Sequence, residues 1–298
     1  MTHDMLINPE EYKFMVTEPP NNPREIREEF VTLMFENLKV PALYMGNQAV
    51  LSLFATGRTT GTVLDAGEGV THTVPIYEGY AMPHFITEIP ICGRDLTNYL
   101  VQLLNREYPE YISVDTPEKR EEAFDVAVKI KHMHGQVAHD FDAELKTSSD
   151  ENTIPKKYKL PGSQTITVNK QCLECPEILF SPSLWREQME ENSDGIHQHT
   201  YQAIIKCEKD IWRDLFRNIV LAGGCTMFKG MKERMQKEVQ ALAPSNLTPE
   251  VDSPADRKHS AWLGGAILSS MPRFDPMFIK KSDYDEEGSA RIVHRKCF

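Results

Sequence analysis

No apolar run among the 298 residues reaches the roughly 20 that a helix needs to cross a bilayer, and the longest candidate, Ala261 to Met271, contains glycine and serine. A membrane span is not expected. Met1 to Lys13 include Asp4, Glu10 and Glu11 and lack the apolar core of a secretion signal, so export is not expected either. Positive charge is scarce: 33 Lys and Arg stand against 44 Asp and Glu, a net charge of -11. That sign opposes nonspecific attachment to nucleic acid or to an anionic membrane surface and leaves basic or neutral partners. Cysteine is sparse and scattered (Cys92, Cys172, Cys175, Cys207, Cys225, Cys297), the usage of a reducing compartment rather than of a disulfide framework. Cys172 and Cys175 form one CxxC pair, but no second pair or histidine motif completes a zinc site, so two ordinary thiols are expected. There is no internal repeat of fixed period and no low-complexity tract.

What is present is an alternation of helical and strand-like segments, which indicates an α/β architecture. Asn22-Pro23 reads as an N-cap followed by proline in the first turn, and Ile26, Phe30, Leu33 and Leu38 then recur at helical spacing. Asn47 to Ala55 reads as a second helix, closed by Gly57. Gly61 to Asp65, a turn Ala66 to Gly69, and Val70 to Tyr77 read as a hairpin continuing through Glu78-Gly79-Tyr80. Asp95 to Leu104 and Pro117 to His134 read as helices, the second ended by Gly135. A polar stretch, Lys146 to Lys157, precedes a hairpin from Tyr158 to Val168 that turns at Pro161-Gly162. Arg186 to Asp194, acidic and without apolar period, reads as an exposed loop. A helix around Thr200 to Cys207 follows, then a buried strand from Asn218 to Leu221, the pair Gly223-Gly224, and a helix carrying Met231, Met235, Val239 and Leu242.

Two segments carry a family signature: Leu64 to Tyr80 (LDAGEGVTHTVPIYEGY) and Ile292 to Phe298 (IVHRKCF). Both resemble actin. Asn47 to Leu53 (NQAVLSL), Gly57 to Gly61 (GRTTG), Gly93 to Thr97 (GRDLT), Met235 to Glu238 (MQKE) and Trp262 to Gly265 (WLGG) agree in order, so the resemblance covers nearly the whole chain. It implies an actin-like fold of two ribonuclease-H-like lobes that clasp ATP or ADP with Mg2+ or Ca2+. Because Thr2 already aligns inside the first lobe of the family, that lobe is expected to be incomplete, without its first phosphate hairpin and its polymerisation loop. The implied division assigns 1–55 and 260–298 to the first lobe, 56–91 and 188–259 to the second, and 92–187 to an insertion subdomain.

By this resemblance Asp65 would hold the hydrated cation, and Gln48 and His72 would orient the attacking water. Gly67, Glu68, Gly69 and Val70 form the retained phosphate turn, whose glycines admit close approach and unusual φ. Lys131, Gly223, Gly224, Met227, Phe228 and Lys258 resemble the adenosine contacts. Each also has a plain reading: a tight hairpin turn at Gly67 to Val70, a structural histidine at His72, a helix N-terminal residue at Gln48, and close strand–helix packing at Gly223-Gly224. His132 stands where the family has a carboxylate, and Ala66 where it has a hydroxyl. Phe54, Gly57, Thr59, Gly79, Tyr80, Leu268 and Met271 resemble the cleft that receives helices of regulatory proteins, or else only pack the lobe.

Phosphoryl transfer needs the phosphate surrounded by preorganised donors and metal, so weak hydrolysis or none is expected. The implied function is an actin-like protein of the cytoplasmic cytoskeleton that acts through protein binding and does not extend filaments alone. Its partners would be actin, actin-binding regulators or subunits of actin-related complexes. A slow ATPase of the same fold, and a subunit of a larger cytosolic or nuclear complex, are the alternatives.

Overall fold

The computed structural model describes residues 7–148, 155–185 and 194–296. Its strands are β1 (Phe14–Glu18), β2 (Ala42–Asn47), β3 (Gly61–Ala66), β4 (Thr71–Tyr77), β5 (Tyr80–Ala81), β6 (Thr87–Ile89), β7 (Lys157–Lys159), β8 (Thr165–Thr167), β9 (Ile219–Ala222), β10 (Val251–Asp252) and β11 (Ile279–Lys280). Its helices are α1 (Arg24–Thr32), α2 (Gln48–Phe54), α3 (Gly93–Glu107), α4 (Pro117–His134), α5 (Phe141–Ser148), α6 (Gln171–Glu177), α7 (Ile196–Ile205), α8 (Trp212–Arg217), α9 (Met231–Leu242), α10 (Ser260–Ser269) and α11 (Lys281–Lys296), the last kinked at Gly288.

Two sheets organise the described residues, and β7 pairs with β8 in a separate hairpin. The larger runs β10-β9-β3-β4-β5, with β6 also on β4; the smaller runs β1-β2-β11. In the larger sheet β3 pairs antiparallel with β4 and parallel with β9, so both faces of β3 must be covered. Its residues read accordingly: Val63 and Leu64 are fully buried on opposite faces, Val63 with α2 residues Ala49 and Leu53, Leu64 with the large core that includes α3, α4, α7 and α9. In the smaller sheet β1 runs parallel to β2, and Val31, Met34, Phe35, Leu43 and Ile292 form its core.

Helices α2 and α10 join the two sheets. Asn47, the last residue of β2, caps α2 by accepting from the amides of Ala49 and Val50. On α10, Gly264 lies so close to α2 that a Cβ would collide with the Leu51 carbonyl, and Ser260 Oγ donates to Ser52 Oγ at 2.9 Å.

Most segments form where the sequence places them, and α4 spans the expected Pro117–His134. Four expectations change. Pro23, not Asn22, stands at the N-cap of α1, and Asn22 Nδ2 donates instead to Glu18 Oε2. Ile26 and Leu33 are exposed, whereas Val31, Met34 and Phe35 are buried: the segment carries two overlapping apolar stripes, and the one at 31, 34 and 35 packs against Leu43 of β2 and Tyr284 and Ile292 of α11. The polar stretch from Lys146 begins inside a helix, α5, which has no buried residue and hence no apolar stripe to announce it. Gly135 ends α4 with φ -60°, so its role is spatial: a Cβ would strike the Phe228 ring. Nearly all of the expected loop at Arg186 to Asp194 lies outside the described residues, as do Cys297 and Phe298.

Candidate functional site

The site forms where β3, β4 and β9 end together. Asp65 on β3 sits opposite His72 on β4 and beside Ala222 on β9. The chain then leaves β9 through Gly223 at φ 86°, where a Cβ would meet both the Ala66 carbonyl and Asp65 Oδ1. Only glycine accepts that backbone and that approach. Gly224 follows in the open, with no atom within 4 Å of where a Cβ would be. Gly223 therefore presses on the Asp65 carboxylate while Gly224 faces free space, which joins the two parts of the sequence read as metal and nucleotide contacts.

Asp65 makes no hydrogen bond or ion pair within the described residues, and burial pushes its carboxyl up to about 6. Its side chain is half-buried; a partly desolvated carboxylate without a counter-charge is costly, and a cation relieves that cost. Among the described residues no cluster of three or more acidic, histidine or cysteine side chains gathers there, so the one carboxylate of Asp65 suits an ion that keeps most of its water rather than one caged by protein ligands. His72 is 5 % exposed; burial lowers its pKa, which Glu88, 4.0 Å away, partly offsets. Its ring is neutral near pH 7. Gln48 opens α2, and its Nε2 lies 3.4 Å from Thr17 Oγ1.

Between β3 and β4 the turn is held from below. Gly67 donates to Val70 O, while Gly67 O accepts from the Gly93 amide at 2.9 Å and from the Cys225 thiol at 3.2 Å. The Arg94 amide donates to Glu68 O, so the start of α3 carries the turn. Glu68, Gly69 and Val70 are exposed, and no acceptor among the described residues receives their amides. Three free amides in succession suit an anion. Contrary to expectation, neither Gly67 nor Gly69 has a positive φ. Their contribution is the absence of a side chain over the amides, not an unusual backbone.

Lys131 is 3 % exposed, and its Nζ donates to Gly93 O at 2.8 Å and to Thr97 Oγ1 at 2.7 Å, with Glu68 Oε2 at 3.5 Å. Its ammonium is thus committed to the underside of the turn. His132 is exposed next to it; burial of part of its ring and the charges of Lys131 and Lys258 lower its pKa. Lys258 is thereby placed within electrostatic reach of α4. Met227 is 41 % exposed, and Phe228 packs partly into the large core against Gly135. Gly93, Thr97, Cys225, Glu88 and Thr17 complete the surroundings and were assigned no role from sequence. Gly93 had a signal in the segment GRDLT; Thr17 and Glu88 had none, since only strand pairing brings them close.

The profile of the family described as Actin matches residues 1–298. The chain belongs to the actin family. Its mixed α/β architecture is accordingly an actin-like fold. For this actin-family chain, Thr59 O accepts from the Gly79 amide at 2.7 Å, bringing two residues of the expected partner cleft together. Gly57 and Gly79 hold φ of 75° and 84°, and Tyr80 and Met271 are 52 % and 42 % exposed. Phe54 and Leu268 are half-buried, Leu268 against the Ala42, Phe274 and Phe278 cluster. Burial pushes the Cys172 thiol up to about 12 and the Cys175 thiol above the ordinary range, which keeps both protonated. No helix among the described residues is long and apolar enough to cross a membrane.

Proposed function

We propose that this chain is an actin-like protein of the cytoplasmic cytoskeleton that works mainly by binding other proteins, and that it holds ATP or ADP with Mg2+ or Ca2+ at Asp65 with slow hydrolysis or none. One observation carries the nucleotide half of this reading: an unpaired, half-buried carboxylate at Asp65 lies against Gly223, on the same β3–β4 hairpin whose turn leaves the amides of Glu68, Gly69 and Val70 free. The bound cation would supply positive charge to the phosphate oxygens. Asp65 holds it, the turn amides donate to phosphate, and the open side at Gly224, Met227 and Lys258 leaves room for the adenosine.

Slow turnover is supported by the surroundings of the other two residues. Gln48 points its amide toward Thr17, and His72 lies almost fully enclosed between strands. Ala66 offers no hydroxyl to the phosphate. The protein-binding half rests on the exposed Tyr80 and Met271 flanking α2 and α10, a surface suited to an amphipathic helix of an actin-binding regulator or of actin itself. In this reading β1, β2 and β11 belong to one lobe (1–55 and 260–298), and the larger sheet to the other (56–91 and 188–259), with 92–187 as its insertion.

Calorimetric titration of the full chain with ATP in the presence and absence of Mg2+ tests it. Metal-dependent binding, weakened at least about tenfold by Asp65→Asn, is expected. Single-turnover phosphate release at the rate of an efficient ATPase, abolished by Gln48→Ala, would overturn the slow-turnover reading.

A further inference from the structure

The chain is acidic overall, yet one groove is walled by lysines. A cavity of about 530 Å³ opens between the starts of β2 and α11, lined by Lys13, Lys39, Lys280 and Lys281 around an apolar floor of exposed Pro41 and the edge of Phe278, over whose ring Lys13 Nζ stands at 5.8 Å. Among the described residues, Asp275 is the only acidic one in that lining. Lys13 pairs with Asp275, and Lys281 Nζ bonds Asp285 Oδ1 at 2.6 Å. Lys39 comes no closer than 3.9 Å to Glu10, and the Lys280 side chain has no ion-pair partner among the described residues. All three carboxylates are more than half exposed, so these ion pairs are weak and an incoming acid can replace them.

The backbone at Lys39 is a second, independent sign. Lys39 sits at φ 52°, immediately after the helix that ends near Leu38, with the Val40 amide returning to Met34 O. Glycine or asparagine takes such a helix-closing position with little strain, and lysine does not. A strained lysine at the mouth of a lysine-walled groove is accounted for if its ammonium is used there.

We propose that this groove docks an acidic segment of a partner protein, with carboxylates spread over Lys39, Lys280 and Lys13 and an apolar side chain seated on Phe278 and Pro41. The apolar floor favours a peptide over a bare anion. The net charge of -11 disfavours an anionic bilayer, whose extended surface would meet the whole field of the molecule, whereas a short segment entering the groove meets the lysines first. The site is separate from the nucleotide residues and adjoins the proposed helix cleft from the other side of the Ala42, Phe274 and Phe278 cluster, against which Leu268 packs.

The test uses the full chain and a fluorescein-labelled peptide of repeating Glu-Glu-Phe, with a Lys-Lys-Phe peptide and phosphatidylserine-rich vesicles as comparisons, read by anisotropy and co-sedimentation. The acidic peptide is expected to bind and to weaken with added salt. Lys280→Glu is expected to lower its affinity about tenfold. Lys39→Asn, which suits the backbone better, is expected to leave the melting temperature equal or higher while affinity falls several-fold, a divergence that a purely structural lysine would not produce. Equal binding of the basic peptide, capture by the vesicles in preference to the peptide, absence of acidic-peptide binding, or unchanged affinity in both variants would each overturn the proposal.

Discussion

At the scale of single residues, Asp65 is the strongest lead because its cost and its use are the same fact. Its folded carboxyl titrates near 6 against an ordinary value of 3.8. Between those values the folded chain holds a proton that the unfolded chain has released, so stability falls as pH rises through that window and the full penalty applies above it. A neutral isostere carries no such penalty. Asp65→Asn is therefore expected to stabilise the metal-free protein by about 2 kcal/mol at pH 7 and by nearly nothing at about pH 2.5, where both states are protonated. Urea unfolding at the two pH values, without divalent ions, measures it. Destabilisation at pH 7 would mean that an unseen partner already neutralises the carboxylate. Lys131, expected among the adenosine contacts, also has a place in the fold: its ammonium donates to Gly93 and Thr97 with Glu68 nearby, and so holds the turn in position.

At the scale of elements, periodicity exposed what packs on one face and missed what packs by shape. Helix α4 was legible from Pro117 at its start, Gly135 after its end and Ala123, Ala127 and Ile130 on its inner side; the Thr116 cap is seen in the structure. The face of α1 was not, because two apolar stripes overlap there and only packing against β2 and α11 selects between them. Strands β3 and β9 were legible as apolar runs flanked by glycine, but their parallel pairing, which sets Asp65 beside Ala222 and under Gly223, is a tertiary fact. The contact of α2 with α10 was equally hidden. Gly264 stands in WLGG, a segment noted only for its resemblance, and its role is to let the Leu51 carbonyl approach. Filling that space forces two helices apart, so Gly264→Ala is expected to cost about 2–3 kcal/mol or more. The neighbouring Gly265→Ala should cost less, since the tightest contact a Cβ would make there is the flexible Met15 thioether at 3.0 Å. Thermal melts of both variants decide it, and equal losses would show that the close approach is not what α10 depends on.

For the whole molecule, the resemblance conveyed the family and the fold, while the linkage between its parts had to be seen. Asp65, His72 and Gly223 belong to the larger sheet; Gln48 begins the helix that Asn47 hands over from the smaller one. A nucleotide with its cation that reaches both Asp65 and Gln48 would bind one sheet to the other through α2, already clamped by α10 at Ser52 and Leu51. A ligand that binds only the folded state stabilises it by mass action, by about 2.7 kcal/mol at a hundredfold excess over Kd. Saturating ATP with Mg2+ is thus expected to raise the melting temperature in a single transition and to slow hydrogen exchange in β1 and β2 as well as in β3, β4 and β9. Gly223→Ala should abolish the shift, because the new Cβ displaces the Asp65 carboxylate. Protection confined to the larger sheet would show that Gln48 does not take part and that the ligand rests on one lobe alone. Two separate transitions, only one of them moved by ATP, would show that α2 and α10 do not couple the sheets.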